Sequence, residues 1–139
     1  MDTSLKQNDL DAIATEIAQC FPEIYGSYLF GSAAAGELRA DSDLDVALLC
    51  QVSPTPEAVL RFKAFVSQMF RRDVDVIDLY RADSVTAAQI VTSGVAISSI
   101  DSLKMAEFET MALSRYALLN EERSEILKDI QLTGVIYGR

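Results

Sequence analysis

The chain has 139 residues, half of them hydrophobic, and carries a net charge of −9 with no histidine. That is the size and composition of one folded domain with a core of its own, and it excludes a disordered chain. The negative charge argues against direct binding to nucleic acid, which needs Lys and Arg to neutralise phosphates, and the missing imidazoles exclude histidine-based catalysis and ligation, so a metal site here must be oxygen-rich, as Mg²⁺ or Mn²⁺ prefers.

Taken in chain order, the polar opening MDTSLKQNDL lacks the character of a secretory signal, and no apolar run is long enough to cross a bilayer, so the expected compartment is the cytoplasm. Asn8 or Asp9 is placed to cap a first helix reaching Cys20, with Leu10, Ile13, Ile17 and Cys20 on one face and Pro22 beyond its end. A strand from Tyr25 to Phe30 follows, then a short turn or helix from Ser32 to Gly36 and a second strand from Leu44 to Cys50. Ser53-Pro54-Thr55-Pro56 breaks the chain and starts a helix from Glu57 to about Phe70, striped by Val59, Phe62, Val66 and Met69. Arg71 and Arg72 would suit its C-terminal end. Val74 to Leu79 reads as a third strand, Ser84 to Thr92 as a short helix stopping at Gly94, and Val95 to Ile100 as a fourth strand. Leu103 to about Leu132 reads as one long helix or two, with Gly134 ending it before the VIYGR tail. Strands alternating with helices give an α/β fold: a mixed sheet of about four strands, flanking helices and a long C-terminal helical segment. Cys20 and Cys50 lack metal-like spacing and sit in apolar stretches, which reads as reduced core cysteine.

The stretch YLFGSAAAGELRADSDLDVALL, residues 28–49, carries the chemistry. Gly31 and Gly36 enclose four residues, but Glu37 stands where a P-loop needs Lys. Asp41, Asp43 and Asp45 are spaced like the first ligands of an EF-hand, but Val46 and Val52 stand where that loop needs Gly and Glu. Along a strand, Asp43 and Asp45 project to one face and Leu44, Val46 and Leu48 to the other. Two carboxylates on one face can grip divalent cations, while Gly31 permits a close backbone approach and the Ser32 hydroxyl and nearby amides can bond phosphates. Read alone, the acids would equally suit a turn before a strand. In RRDVDVIDL, Asp73 and Asp75 share one face of the third strand and Val74, Val76 and Asp78 the other.

Gly31-Ser32, ten intervening residues, then Asp43-Leu44-Asp45, with strands on both sides, resembles the signature of the DNA polymerase beta-type nucleotidyltransferase superfamily. The short chain is similar to its minimal nucleotidyltransferase (MNT) branch, and FETMALSRYALLNEERSEILKDI more loosely resembles the C-terminal helix of MntA-type antitoxins of HEPN/MNT toxin–antitoxin systems. The resemblance implies a nucleotidyltransferase fold in a single domain over 1–139, with 1–101 the catalytic core and 102–139 a helix and tail that can meet a partner. It implies Asp43, Asp45 and Asp75 as metal ligands and catalytic residues, Asp75 also as base for the incoming hydroxyl, and Gly31 and Ser32 as the ATP-phosphate side. It implies two Mg²⁺, with Mn²⁺ the alternative, and ATP as substrate. The implied reaction is transfer of AMP to a tyrosine hydroxyl of a HEPN-domain ribonuclease toxin, which silences it. Asp73 is then the residue at which the strand begins, Asp78 a turn or cap, and Arg39 either a phosphate contact or a solvated side chain.

Two other readings stand beside this one. A binding-only antitoxin would cover its toxin with the long helix, whose Met105, Phe108, Met111, Ala112, Tyr116, Leu118 and Leu119 exceed one narrow stripe. A nucleotidyltransferase for small molecules, as aminoglycosides are, would need a pocket that sequence does not disclose.

Overall fold

In the computed structural model, residues 5–39 and 41–133 are described. Helix α1 spans Gln7–Cys20, strands β1 and β2 Ile24–Phe30 and Leu44–Cys50, helix α2 Pro56–Phe70, strand β3 Val74–Asp78, helix α3 Ser84–Ser93, strand β4 Val95–Ser99 and helix α4 Ser102–Thr133. The four strands form one sheet in the order β3-β2-β1-β4. β1 pairs antiparallel with β2 and β4, whereas β2 and β3 run parallel across the α2 crossover. The expected α/β fold with a mixed four-stranded sheet is borne out.

Period-two alternation explains the two cores. Leu44, Val46, Leu48 and Cys50 face α1 and α2, where Ile13, Ile17, Phe62 and Val66 complete a fully apolar layer. Ala47 and Leu49, on the opposite face, lie under Ile90 of α3 and Met105, Phe108 and Ala112 of α4. Gly26 lets α4 approach closely: a Cβ there would collide with the Met105 side chain. The Tyr28 hydroxyl donates to Glu109 Oε1 at 2.9 Å and pins the same helix to β1. Both cysteines are buried thiols, and burial raises the Cys20 pKa to about 11 and the Cys50 pKa to about 12.

Local signals place most boundaries. Thr55 caps α2, accepting from the Ala58 amide at 3.1 Å, with Pro56 at the first helical position. Asp83 caps α3 through the Thr86 amide at 2.8 Å, and these bonds lower its pKa. The start of α1 differs from expectation: Gln7 is its first residue, and Asp9 reaches back to the Lys6 amide at 2.9 Å from within the first turn. In α2 the stripe is Ala58, Phe62 and Val66; Met69 is 59% exposed, while Phe70 packs edge-on against Phe65. Gly94 does end α3, but at φ −76°, so its value is close packing: a Cβ would meet the carbonyls of Ile90 and Leu29. β3 stops at Asp78, one residue early, because Leu79–Arg81 form a 3₁₀ turn.

The C-terminal segment is one helix of 32 residues, about 48 Å long. Met105, Phe108 and Ala112 bury its first half. Beyond Ala112 no described side chain is buried, and Leu118, Ile126 and Leu127 are exposed. Gly134 and the tail lie outside the described residues. Among the described residues no helix is long and apolar enough to cross a membrane.

Candidate active site

The chain leaves β1 at Phe30 and makes one tight turn, residues 31–36, before the loop to β2. Ala35 donates to the Gly31 carbonyl (3.1 Å), Glu37 to Ser32 (2.8 Å) and Gly36 to Ala33 (3.4 Å). With Gly36 at φ +73°, this is a single helical turn closed by a Schellman-type ending. Gly31 sits at φ +70°, and a Cβ on it would collide with Asp45 Oδ2. Glycine is therefore needed twice over, once for the turn and once because this backbone lies against the Asp45 carboxylate. Ser32 follows, half-buried, on the same turn.

Asp43 immediately precedes β2, Asp45 is its second residue, and Phe30 of β1 is the register partner of Asp45. On the other side, Asp45 is paired in register with Asp75 of β3. Neighbouring strands are about 4.8 Å apart, so the two carboxylates leave the same face of the sheet side by side. Asp43 lies one residue before β2, outside the ladder, and its charge acts on Asp45 at the face that Asp45 shares with Asp75. That face is open only at its beginning, because Ala47 and Leu49 further along it are fully buried.

Like charges act on Asp45. Asp45 is half-buried, and burial first, then the charges of Asp75 and Asp43, raise its pKa above the ordinary carboxylate value. Asp43 and Asp75 are exposed, and among the described residues no side-chain hydrogen bond or ion pair engages any of the three carboxylates. No three acid or cysteine side chains among the described residues already converge on a single metal position. The donor set nevertheless fits a hard cation: two strands and the residue before them present carboxylate oxygens on one face, and the half-buried member is the one whose ionisation the site disfavours.

The other acids sort differently. Asp73 stands just before β3, where its carbonyl accepts from Leu44 N–H at 2.9 Å. Asp78 accepts from Tyr80 N–H at 3.2 Å, from Ser53 Oγ at 3.1 Å and from Arg81 Nη1 at 2.7 Å, so it is a cap. Arg39 is exposed in the loop, its amide donating to Ser42 Oγ at 2.9 Å. Arg72 does not serve the end of α2 as expected. Its Nη1 donates to the carbonyl of Ser42 at 2.8 Å and to that of Arg39. It lines a polar cleft of about 420 Å³ together with Asp41, Asp43, Ser67, Arg71 and Asp73.

Asp43 and Asp45 at the start of β2, a third acid across the parallel register on β3 and a Gly-Ser turn whose Gly31 lies against Asp45 define a class. The chain belongs to the family described as "Polymerase beta, Nucleotidyltransferase", which matches residues 13–103. Among its relatives is the protein adenylyltransferase MntA of Shewanella oneidensis, 31% identical over 114 residues, covering 78% of each chain. The crystal structure of a toxin–antitoxin with AMP-PNP matches with a TM-score of 0.74 at 28% identity, covering 91% of this chain and 99% of that one. A structure of tri-AMPylated Shewanella oneidensis HEPN toxin in complex with MNT antitoxin matches at 0.71 and 25% identity, with the same coverage.

Proposed function

We propose that the protein is an antitoxin of the adenylyltransferase type, which transfers AMP from ATP to a tyrosine hydroxyl of a HEPN-domain ribonuclease partner and silences it. The observation that carries this reading is the side-by-side placement of Asp45 and Asp75, with Asp43 two residues before Asp45 and Gly31 against the Asp45 carboxylate. It is supported by the similarity to a protein adenylyltransferase and to antitoxins solved with AMP-PNP and with an AMPylated HEPN toxin.

Asp43 and Asp45 face the triphosphate and, with Asp75, are the residues that would hold Mg²⁺. When bound, two such ions, or Mn²⁺ in their place, supply neutralisation of phosphate charge and polarisation of the attacking and leaving oxygens. Ser32 donates its hydroxyl to a phosphate oxygen, and Gly31 keeps the turn close enough for the amides beside it to do the same. The tyrosine oxygen forms a bond to the α-phosphorus, the bond from that phosphorus to the bridging oxygen breaks, and pyrophosphate leaves. Asp75, exposed at the sheet edge, is placed to orient the incoming hydroxyl and accept its proton. The distal half of α4, with Leu118, Ile126 and Leu127 exposed, is the surface for the partner.

That exposed apolar stretch also favours a second reading, inhibition by binding alone. The two separate when a HEPN-domain ribonuclease that the protein binds is co-expressed with the wild type or with Asp43→Ala/Asp45→Ala. The transferase reading predicts that the wild type relieves toxicity and adds AMP mass to the partner, and that the double variant does neither. Relief by the double variant with no added mass establishes binding alone.

A further inference from the structure

Arg72 lies outside the acid cluster, yet it grips the chain that delivers it. It follows Arg71, the left-handed residue (φ 52°) that caps α2, and precedes the strand carrying Asp75. Its Nη1 reaches back to the carbonyls of Arg39 and Ser42, which belong to the turn just before Asp43. That turn is closed by its own bonds, Ser42 N–H to the Arg39 carbonyl at 3.1 Å and Arg39 N–H to Ser42 Oγ at 2.9 Å. Two residues later Leu44 N–H donates to the Asp73 carbonyl at 2.9 Å, at the start of the β2–β3 ladder. A guanidinium bond to a carbonyl is charge-assisted and stronger than its neutral counterpart. Thus the segment about to present Asp43 and Asp45 and the segment about to present Asp75 are tied together twice within a few residues.

We infer that Arg72 is a positioning residue for the carboxylate site: by clasping the Arg39 and Ser42 carbonyls it fixes the start of β2 against the start of β3, so that Asp43, Asp45 and Asp75 meet a cation at one preset spacing. This rests on the nucleotidyl-transfer reading of that site, but the clasp itself can be tested without it. Arg72→Ala deletes the donors. Arg72→Lys retains an ammonium with three donors. Arg71→Gln removes the same charge one residue away, from a side chain with no bond to either carbonyl, and leaves the clasp in place.

Two readouts on the full chain decide the matter. In metal-free protein, hydrogen exchange at the Ser42 and Leu44 amides should quicken in Arg72→Ala and stay at the wild-type rate in Arg71→Gln. The Mg²⁺ concentration that gives half of the cation-induced rise in melting temperature should increase about tenfold in Arg72→Ala, the usual cost of losing a residue that orients metal ligands. Arg72→Lys should lie between, and Arg71→Gln should match the wild type. Unchanged exchange at both amides in Arg72→Ala overturns the clasp. So does a Mg²⁺ midpoint within twofold of wild type, or an equal shift in Arg71→Gln. Should Arg72→Ala fail to fold, the comparison of Arg72→Lys with Arg71→Gln carries the same signs. If wild-type protein shows no Mg²⁺ response while exchange quickens as described, the clasp stands and the reading of the site as a metal centre is what fails.

Discussion

The two ends of β3 carry the same kind of side chain in opposite circumstances. At its far end Asp78 is finished by the protein itself, accepting from a backbone amide, a serine hydroxyl and Arg81. Near its start Asp75 stands beside Asp45, and that neighbour's carboxyl has its pKa raised by burial and by two like charges. A carboxylate with three partners is a structural element. A half-buried carboxylate whose nearest charges are other carboxylates is a cost to the fold, and such costs persist where function requires them.

The sharpest way to break this contrast is to exchange the consequences. Asp45→Ala or Asp75→Ala should lower the rate of AMP transfer by at least about a hundredfold, the scale of losing a preorganised electrostatic contact to the reacting phosphate. Asp78→Ala should leave that rate within about twofold, since its side chain touches only the loop and the 3₁₀ turn. A steady-state assay of AMP incorporation checks both, and equal losses at Asp75 and Asp78 would erase the distinction.

Stability should run the other way. Asp78→Ala removes a cap and an ion pair and should cost about 1 kcal/mol, read as a fall in melting temperature of roughly 3 °C. For Asp45, the folded state holds the carboxyl proton more tightly than the unfolded chain does, so ionisation opposes folding once the pH rises above the unfolded pKa. Asp45→Asn should therefore raise the metal-free melting temperature at neutral pH. The same substitution should abolish the rise that Mg²⁺ gives the wild type, about 1.4 kcal/mol at ten times the dissociation constant. Thermal melts with and without Mg²⁺ at pH 7 read both effects. The smallest expected change is on α4: Leu118→Glu/Ile126→Glu should shift stability by less than about 0.5 kcal/mol, because both side chains are exposed. Binding of the HEPN partner should nevertheless fall, which calorimetric titration of the complex measures.

The contrast also marks what sequence could show. The acid pair was legible because Gly31-Ser32 stands at the spacing of the nucleotidyltransferase signature; alternation alone left a turn before a strand as an equal reading. Asp75 was singled out by the same resemblance, as the acid within the strand that Val74 and Val76 mark, and the parallel register sets it beside Asp45. Asp78 was legible as a cap because its partners Tyr80 and Arg81 are close by in sequence. Arg72 was misjudged for the opposite reason: its partners lie about thirty residues back along the chain, and no periodicity announces a bond from side chain to backbone. Gly31 was read as permitting a close backbone approach, but that the approach is to Asp45 depends on how β1 and β2 pair. Helix α4 kept the burial of Met105, Phe108 and Ala112, but where the sheet beneath it ends is a tertiary fact, and Leu118 and Leu127 lie past that end.

The most direct test of the central claim follows the phosphorus atoms. Purified protein, Mg²⁺ and the HEPN-domain partner are incubated with ATP labelled either at the α-phosphate or at the γ-phosphate. Nucleotidyl transfer at Asp43, Asp45 and Asp75 predicts that the α label becomes covalently attached to the partner, that the γ label leaves as pyrophosphate, and that Asp43→Ala/Asp45→Ala transfers neither. Attachment of the γ label, or α-label transfer undiminished in the double variant, would contradict it.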